Sequence, residues 1–165
     1  MLAAHRLELT LGAGIVAADQ LTKALVRREL PLYESVTIVP GFIDLTHIRN
    51  TGAAFGLFNA ADFPLKPAVM LGMAILALAA IAVYAAQLRP DERLARAGLA
   101  LVLGGAVGNL IDRAATGYVL DFVDVYYGDA HFWAFNVADS AITVGAALVI
   151  LDILFAGRRH VPGAV

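Results

Sequence analysis

Four stretches of this chain, at about 7–25, 68–88, 94–111 and 137–155, are each long and apolar enough to cross a hydrocarbon core. A crossing helix takes about 20 such residues. Backbone polar groups find no water in lipid, so each stretch must be a helix that satisfies its own hydrogen bonds. Strand or irregular backbone is then confined to the interface or the aqueous side. The second stretch, AVMLGMAILALAAIAVYAAQL, carries no charge. The first is broken by Asp19, Gln20 and Lys23, the third is rich in small residues around Gly104 and Gly108, and the fourth holds Asp139 and Asp152 near its two ends. The broken apolar region and the absence of a good cleavage site after it predict that the first stretch stays as a span and is not a cleaved signal peptide.

Four spans return both ends of the chain to one side of the membrane. The connectors at about 28–65 and 113–135 then share the other side. Ser35–Val39 and Phe42–Ile48 flank a Pro40-Gly41 turn and read as strands. Residues 117–127 alternate in the same way, which predicts Asp121 on one strand face with Val119, Val123 and Val125. The expected fold is a single membrane all-α domain over 1–165, a four-transmembrane-helix bundle with a small β element outside the lipid. Arg89, Arg93 and Arg96 in the short second connector, with Arg158-Arg159 after the last span, make that side cytoplasmic by the positive-inside rule. Arg27, Arg28, Arg49, Lys66 and Arg113 lie towards the other side and weaken the bias.

Composition narrows the function. The hydrophobic share is 60% and mean hydropathy is +0.75, against roughly 45–50% apolar usage in soluble domains. A net charge of −2 offers nothing to a nucleic acid. With no cysteine, thiolate metal sites and cysteine nucleophiles are excluded, and the four histidines show no HExxH-type spacing. No metal site and no cofactor are expected.

The chemistry-bearing residues crowd onto the side shared by the two long connectors. Asn109, Asp112 and Arg113 lie in GNLIDR, Asp121 in GYVLDF, and Asn136 and Asp139 in FNVADS. Carboxylates at a membrane boundary are costly, and chemistry is the usual reason to keep them. Two aspartates sharing one proton can serve as base and acid for an activated water, and they titrate as a unit. Asparagines can position them, and an arginine can receive a substrate carbonyl or anion. Each residue also has a plainer reading. Asp139 suits a helix N-cap, Asp121 a solvated strand position, Asn109 a helix-packing contact beside Gly104 and Gly108, and Asp112 with Arg113 a helix end at the headgroups. Asp124 and Asp129 read as solvated. Asp19 and Lys23, four apart, read as an ion pair within one helix. Tyr126-Tyr127 and Phe132-Trp133 read as an interfacial belt.

Five motifs, DQLTK at 19–23, RNTGAAFG at 49–56, GNLIDR at 108–113, GYVLDF at 117–122 and FNVADSAI at 135–142, resemble those of the bacterial lipoprotein signal peptidases, signal peptidase II, in the same order across the chain. The resemblance implies an aspartic endopeptidase of the bacterial cytoplasmic (inner) membrane, with both termini cytoplasmic and an extracytoplasmic β-cradle at the active face. It implies a prolipoprotein substrate cut just before a diacylglyceryl-modified cysteine, membrane lipids as surroundings, and globomycin as an inhibitor that occupies the dyad. By position it makes Asp121 and Asp139 the catalytic pair and Asn50, Asn109, Arg113 and Asn136 supporting or substrate-binding residues. Asp19 falls at a position tied to stability, a role to which Lys23 and Asp112 are also assigned. The glycines beside aromatics in 49–58 suggest a clamp over Phe55–Phe58.

Three other readings make different predictions. A proton-coupled transporter relaying through Asp19, Lys23 and Asp139 wants acids spaced across the bilayer rather than gathered at one face. A metal-dependent lipid-headgroup enzyme wants carboxylates at helical spacing, and Asp112, Asp121 and Asp139 are dispersed. A non-catalytic scaffold predicts silent substitutions at both aspartates.

Overall fold

A computed structural model describes residues 6–52, 58 and 63–159, with side chains as far as Phe155. Its helices are α1 Arg6–Glu29, α2 Lys66–Gln87, α3 Arg93–Thr116 and α4 Val137–Arg159. All four are long and apolar enough to cross a membrane. Burial in α1 is the reverse of a water-soluble helix: Asp19 and Lys23 are inside, while Leu7, Leu9, Leu21 and Leu25 point out. In lipid this is the low-energy arrangement. An apolar side chain gains little by leaving hydrocarbon, and a charge left in it is expensive.

α3 is the central helix, with α1, α2 and α4 all packed on it. Half of its apolar window is buried inside the protein, against 6% for α2. Small residues permit the close approach. A Cβ at Gly98 would lie 2.6 Å from the Gly145 carbonyl oxygen of α4, and one at Gly104 would lie 2.8 Å from the Gly12 carbonyl oxygen of α1. Gly104 and Gly108 therefore serve packing against α1 within one chain.

The strands β1 Ser35–Val39, β2 Ile43–Asn50, β3 Val119–Tyr127 and β4 Ala130–His131 form an antiparallel sheet in that order. β2 belongs to the first connector and β3 to the third, so their pairing joins the two connectors at one end of the bundle. β2 runs two residues beyond the expected strand end, which brings Asn50 into the ladder opposite Val119 and sets Ile48 opposite Asp121. The alternation expected for β3 is lost in its first half, where Val119, Leu120, Asp121 and Phe122 are all buried. The reason is that the Leu120 backbone is held from behind: its N–H donates to Asp112 of α3 and its carbonyl accepts from Asn136.

α3 continues five residues past the apolar stretch. It ends where Gly117, at φ 81°, donates its N–H to the Arg113 carbonyl at 3.0 Å and turns the chain into β3. Left-handed backbone of this kind favours glycine. GNLIDR is thus wholly helical, and Asn109, Asp112 and Arg113 share one face through their spacing of three and four.

Candidate active site

The start of α4 organises the site. Asn136 Oδ1 accepts the Asp139 N–H at 2.9 Å, and Asp139 Oδ2 accepts the Asn136 N–H at 3.2 Å. This reciprocal pair satisfies two of the backbone donors that a helix start leaves open. Asn136 is therefore the cap, and Asp139 lies in the first turn of α4, where the helix dipole favours an anion.

The other end of the Asn136 amide carries the second aspartate. Its Nδ2 donates to Asp121 Oδ1 at 2.7 Å and also lies 3.2 Å from Asn109 Oδ1. Asp121 Oδ2 accepts from Asn50 Nδ2 at 3.0 Å, and Asn50 Oδ1 accepts the Gly52 N–H at 3.0 Å, which sets that amide's orientation. Asp139 Oδ1 accepts from Asn109 Nδ2 at 2.8 Å. All four carboxylate oxygens therefore meet an N–H donor. Burial, and then the neighbouring Asp139 charge, push the Asp121 carboxyl from 3.8 up to about 7, against the opposing pull of Asn50 and Asn136. Near neutral pH such a pair can hold one proton and share it.

Behind this layer lies a charged core. The Lys23 ammonium is fully buried and has three partners: Asp19 Oδ2 at 2.8 Å, Asp112 Oδ2 at 3.0 Å and Asn109 Oδ1 at 2.9 Å. Asp19 Oδ1 accepts the Ala138 N–H at 3.0 Å and so ties α1 to the start of α4. Asp112 Oδ1 pairs with Arg27 Nη2 at 2.8 Å, and its other oxygen holds β3 through Leu120. Asp112 is thus inside the molecule and does not mark a helix end at the headgroups. Arg113 Nη2 donates to the Gly52 carbonyl at 2.9 Å, reaching across to the segment after β2. Asp124, expected in solvent, accepts from His131 Nδ1 at 2.8 Å and is half-buried.

All nine residues singled out from the sequence fall in or directly behind this one site. Three contributors were not singled out. Gln20 bridges Asp19 Oδ2 and the Gly108 carbonyl, both at 3.1 Å. Arg27 pairs with Asp112, and Lys66 Nζ donates to Thr51 Oγ1 at 3.0 Å. Arg27 follows Lys23 by four and was legible as a third polar residue on that helix face; Lys66 left no such signal. Among the described residues, no three His, Cys, Asp or Glu side chains are grouped to hold a metal ion. The clamp expected at Phe55–Phe58 lies outside the described residues except for Phe58.

A family model described as Signal peptidase (SPase) II matches residues 11–155. A relative from Geobacter metallireducens, named lipoprotein signal peptidase, is 49% identical over 142 residues, covering 86% of this chain and 86% of the relative. Another of that name, from Syntrophotalea carbinolica, is 45% identical over 159 residues, covering 96% and 98%. A solved structure described as a bacterial membrane enzyme, determined by the in meso method at 2.3 Å, superposes with a TM-score of 0.82 at 29% identity, covering 96% of this chain and 93% of the other. The four apolar helices and this neighbour identify a multi-pass membrane protein.

Proposed function

The chain belongs to the signal peptidase II family, an aspartic peptidase family, and we propose that Asp121 and Asp139 are its catalytic dyad. Its activity is that of a lipoprotein signal peptidase acting on prolipoproteins. In the proposed reaction one carboxylate takes a proton from a water as that water attacks the scissile carbonyl. The protonated partner then delivers its proton to the leaving nitrogen. The observation that carries the reading is the single Asn136 residue bonded to both carboxylates, one of them almost completely buried. Asn109 and Asn136 hold the pair in place. Asn50 at the end of β2 and Arg113 on α3, which reaches the Gly52 carbonyl, flank it where a peptide backbone can lie.

The bond cut is the one before a diacylglyceryl-modified cysteine. A lipidated cysteine stays in the leaflet, so a dyad where strands meet helix ends can reach that bond without extracting the acyl chains. The outward apolar faces of the four helices meet membrane lipid. The membrane is the bacterial cytoplasmic (inner) membrane, with both termini cytoplasmic and the dyad on the extracytoplasmic side. Arg89 in the α2–α3 connector and Arg93 and Arg96 in the first turn of α3, at the bundle end opposite the dyad, support this orientation. Globomycin is the proposed inhibitor and occupies the dyad.

The test is a gel-shift cleavage assay on detergent-purified protein with a diacylglyceryl-modified prolipoprotein. Wild type should cleave with or without EDTA, and folded Asp121→Asn and Asp139→Asn should not. More than trace cleavage by either variant would remove the dyad assignment.

A further inference from the structure

We propose that Lys23 divides the labour within the dyad: by locking the Asn109 amide it keeps Asp139 as the base and leaves the shared proton on Asp121. The inference rests on the dyad reading above and adds a positioning residue behind it.

An ammonium only donates hydrogen bonds. Lys23 Nζ lies 2.9 Å from the Asn109 side chain, so Asn109 must turn its oxygen to Lys23 and its NH2 the other way. On that other side Asp139 Oδ1 lies 2.8 Å from Asn109 Nδ2. Asn136 Nδ2, 3.2 Å from the same Asn109 oxygen, reinforces the orientation. The NH2 needs a lone pair opposite it, which Asp139 offers best as a carboxylate. The second Asp139 oxygen meets the Asn136 backbone N–H, which cannot turn round. Asp121 differs in two ways. Its donors, Asn50 and Asn136, turn their oxygens to backbone N–H groups and not, among the described residues, to a cation, and it lies in a strand rather than at a helix start. Hydrogen bonds in a chain polarise one another, so the Lys23–Asn109–Asp139 chain favours negative charge at Asp139. The charged groups around the dyad are Asp19, Lys23 and Arg27 on α1 and Asp112 and Arg113 on α3; on β2, Arg49 lies over the Tyr118 ring, Asp44 accepts from the Tyr126 hydroxyl and His47 bonds the Leu30 carbonyl. Without Lys23 the Asn109 amide is free to turn its oxygen towards Asp139. A protonated Asp139 can donate to that oxygen, and the base is lost.

The test is the pH profile of prolipoprotein cleavage by wild type, Lys23→Met, Asp19→Asn and the double variant Lys23→Met/Asp19→Asn. The double variant removes one buried cation and one buried anion together and leaves Asp112 its Arg27 partner. We expect the acid limb of kcat to rise by about 1 pH unit in both Lys23 variants, with kcat at pH 6 falling roughly tenfold and KM little changed. Asp19→Asn alone should leave that limb in place or lower it. A merely structural lysine would reduce the folded fraction and leave the limbs where they were; that result in the double variant overturns the proposal. Infrared spectroscopy decides the matter even if both Lys23 variants fail to fold. At pH 6 the protonated-carboxyl C=O band of wild type should vanish in Asp121→Asn and persist in Asp139→Asn, and the reverse pattern overturns the proposal. Failure of the dyad itself would be seen separately, as cleavage by the Asp121→Asn or Asp139→Asn variants.

Discussion

The buried Asp121 carboxyl gives the fold a stability that depends on pH in a direction opposite to most aspartates. In the folded chain it keeps its proton up to about pH 7, whereas an ordinary aspartate releases it near 3.8. Between those values the folded state binds more protons than the unfolded state, so stability must fall as pH rises. The contribution is complete below about pH 4 and gone above about pH 7. One proton corresponds to about 1.4 kcal/mol per pH unit, so the whole interval is worth about 4 kcal/mol. About 2 kcal/mol of that is lost between pH 5 and pH 7, which lowers a melting midpoint by roughly 4–8 °C for a chain of this length. Asp121→Asn removes the titration. It also sets an NH2 against the NH2 of Asn50 or Asn136, a separate cost of about 1–3 kcal/mol that is the same at every pH. The assay is thermal unfolding in detergent at pH 5, 6, 7 and 8, followed by the fluorescence of the single tryptophan, Trp133. Contributions from the rest of the chain are common to both proteins and cancel in the difference. Wild type should lose stability with rising pH more steeply than Asp121→Asn, and parallel curves would refute the reasoning.

Two further substitutions separate architecture from chemistry. Asp19→Asn strips Lys23 of one anion and weakens the hold on the start of α4. Breaking a buried pair costs about 3–5 kcal/mol, so melting temperature and yield should drop more than turnover per folded molecule; the opposite ranking would move Asp19 into the active site. Gly108→Ala should destabilise even though alanine favours a helix by about 1 kcal/mol, because the new Cβ would lie 2.6 Å from Asp19 Oδ2. A Gly108→Ala protein that melts at or above the wild-type temperature in detergent would show that α1 yields without cost.

How much of this was legible in the sequence depended on the range of each interaction. The spans could be read because lipid imposes a length and an apolarity on every helix separately. β1 could be read because a proline-glycine turn follows it, whereas β2 ran on to Asn50 because it pairs with a strand some 70 residues away, and that pairing leaves no local signal. The Asp19–Lys23 spacing disclosed one ion pair. It did not disclose Asp112, which Arg27 reaches across 85 residues, or Asn109, which Lys23 reaches across 86. For the same reason the motifs pointed to the aspartates but suggested Asp139 as the cap of α4, where the structure has Asn136. Both Asp139 and Asn136 suit a helix start, and only the geometry of two reciprocal hydrogen bonds separates them. That distinction has a chemical consequence. A cap residue spends its side-chain oxygen on the backbone, and here Asn136 spends its Oδ1 on Asp139 and still has an NH2 for Asp121. Had Asp139 been the cap, its carboxylate would have been committed to the helix. With Asn136 in that place, Asp139 accepts one backbone hydrogen bond and keeps the lone pairs that a water needs.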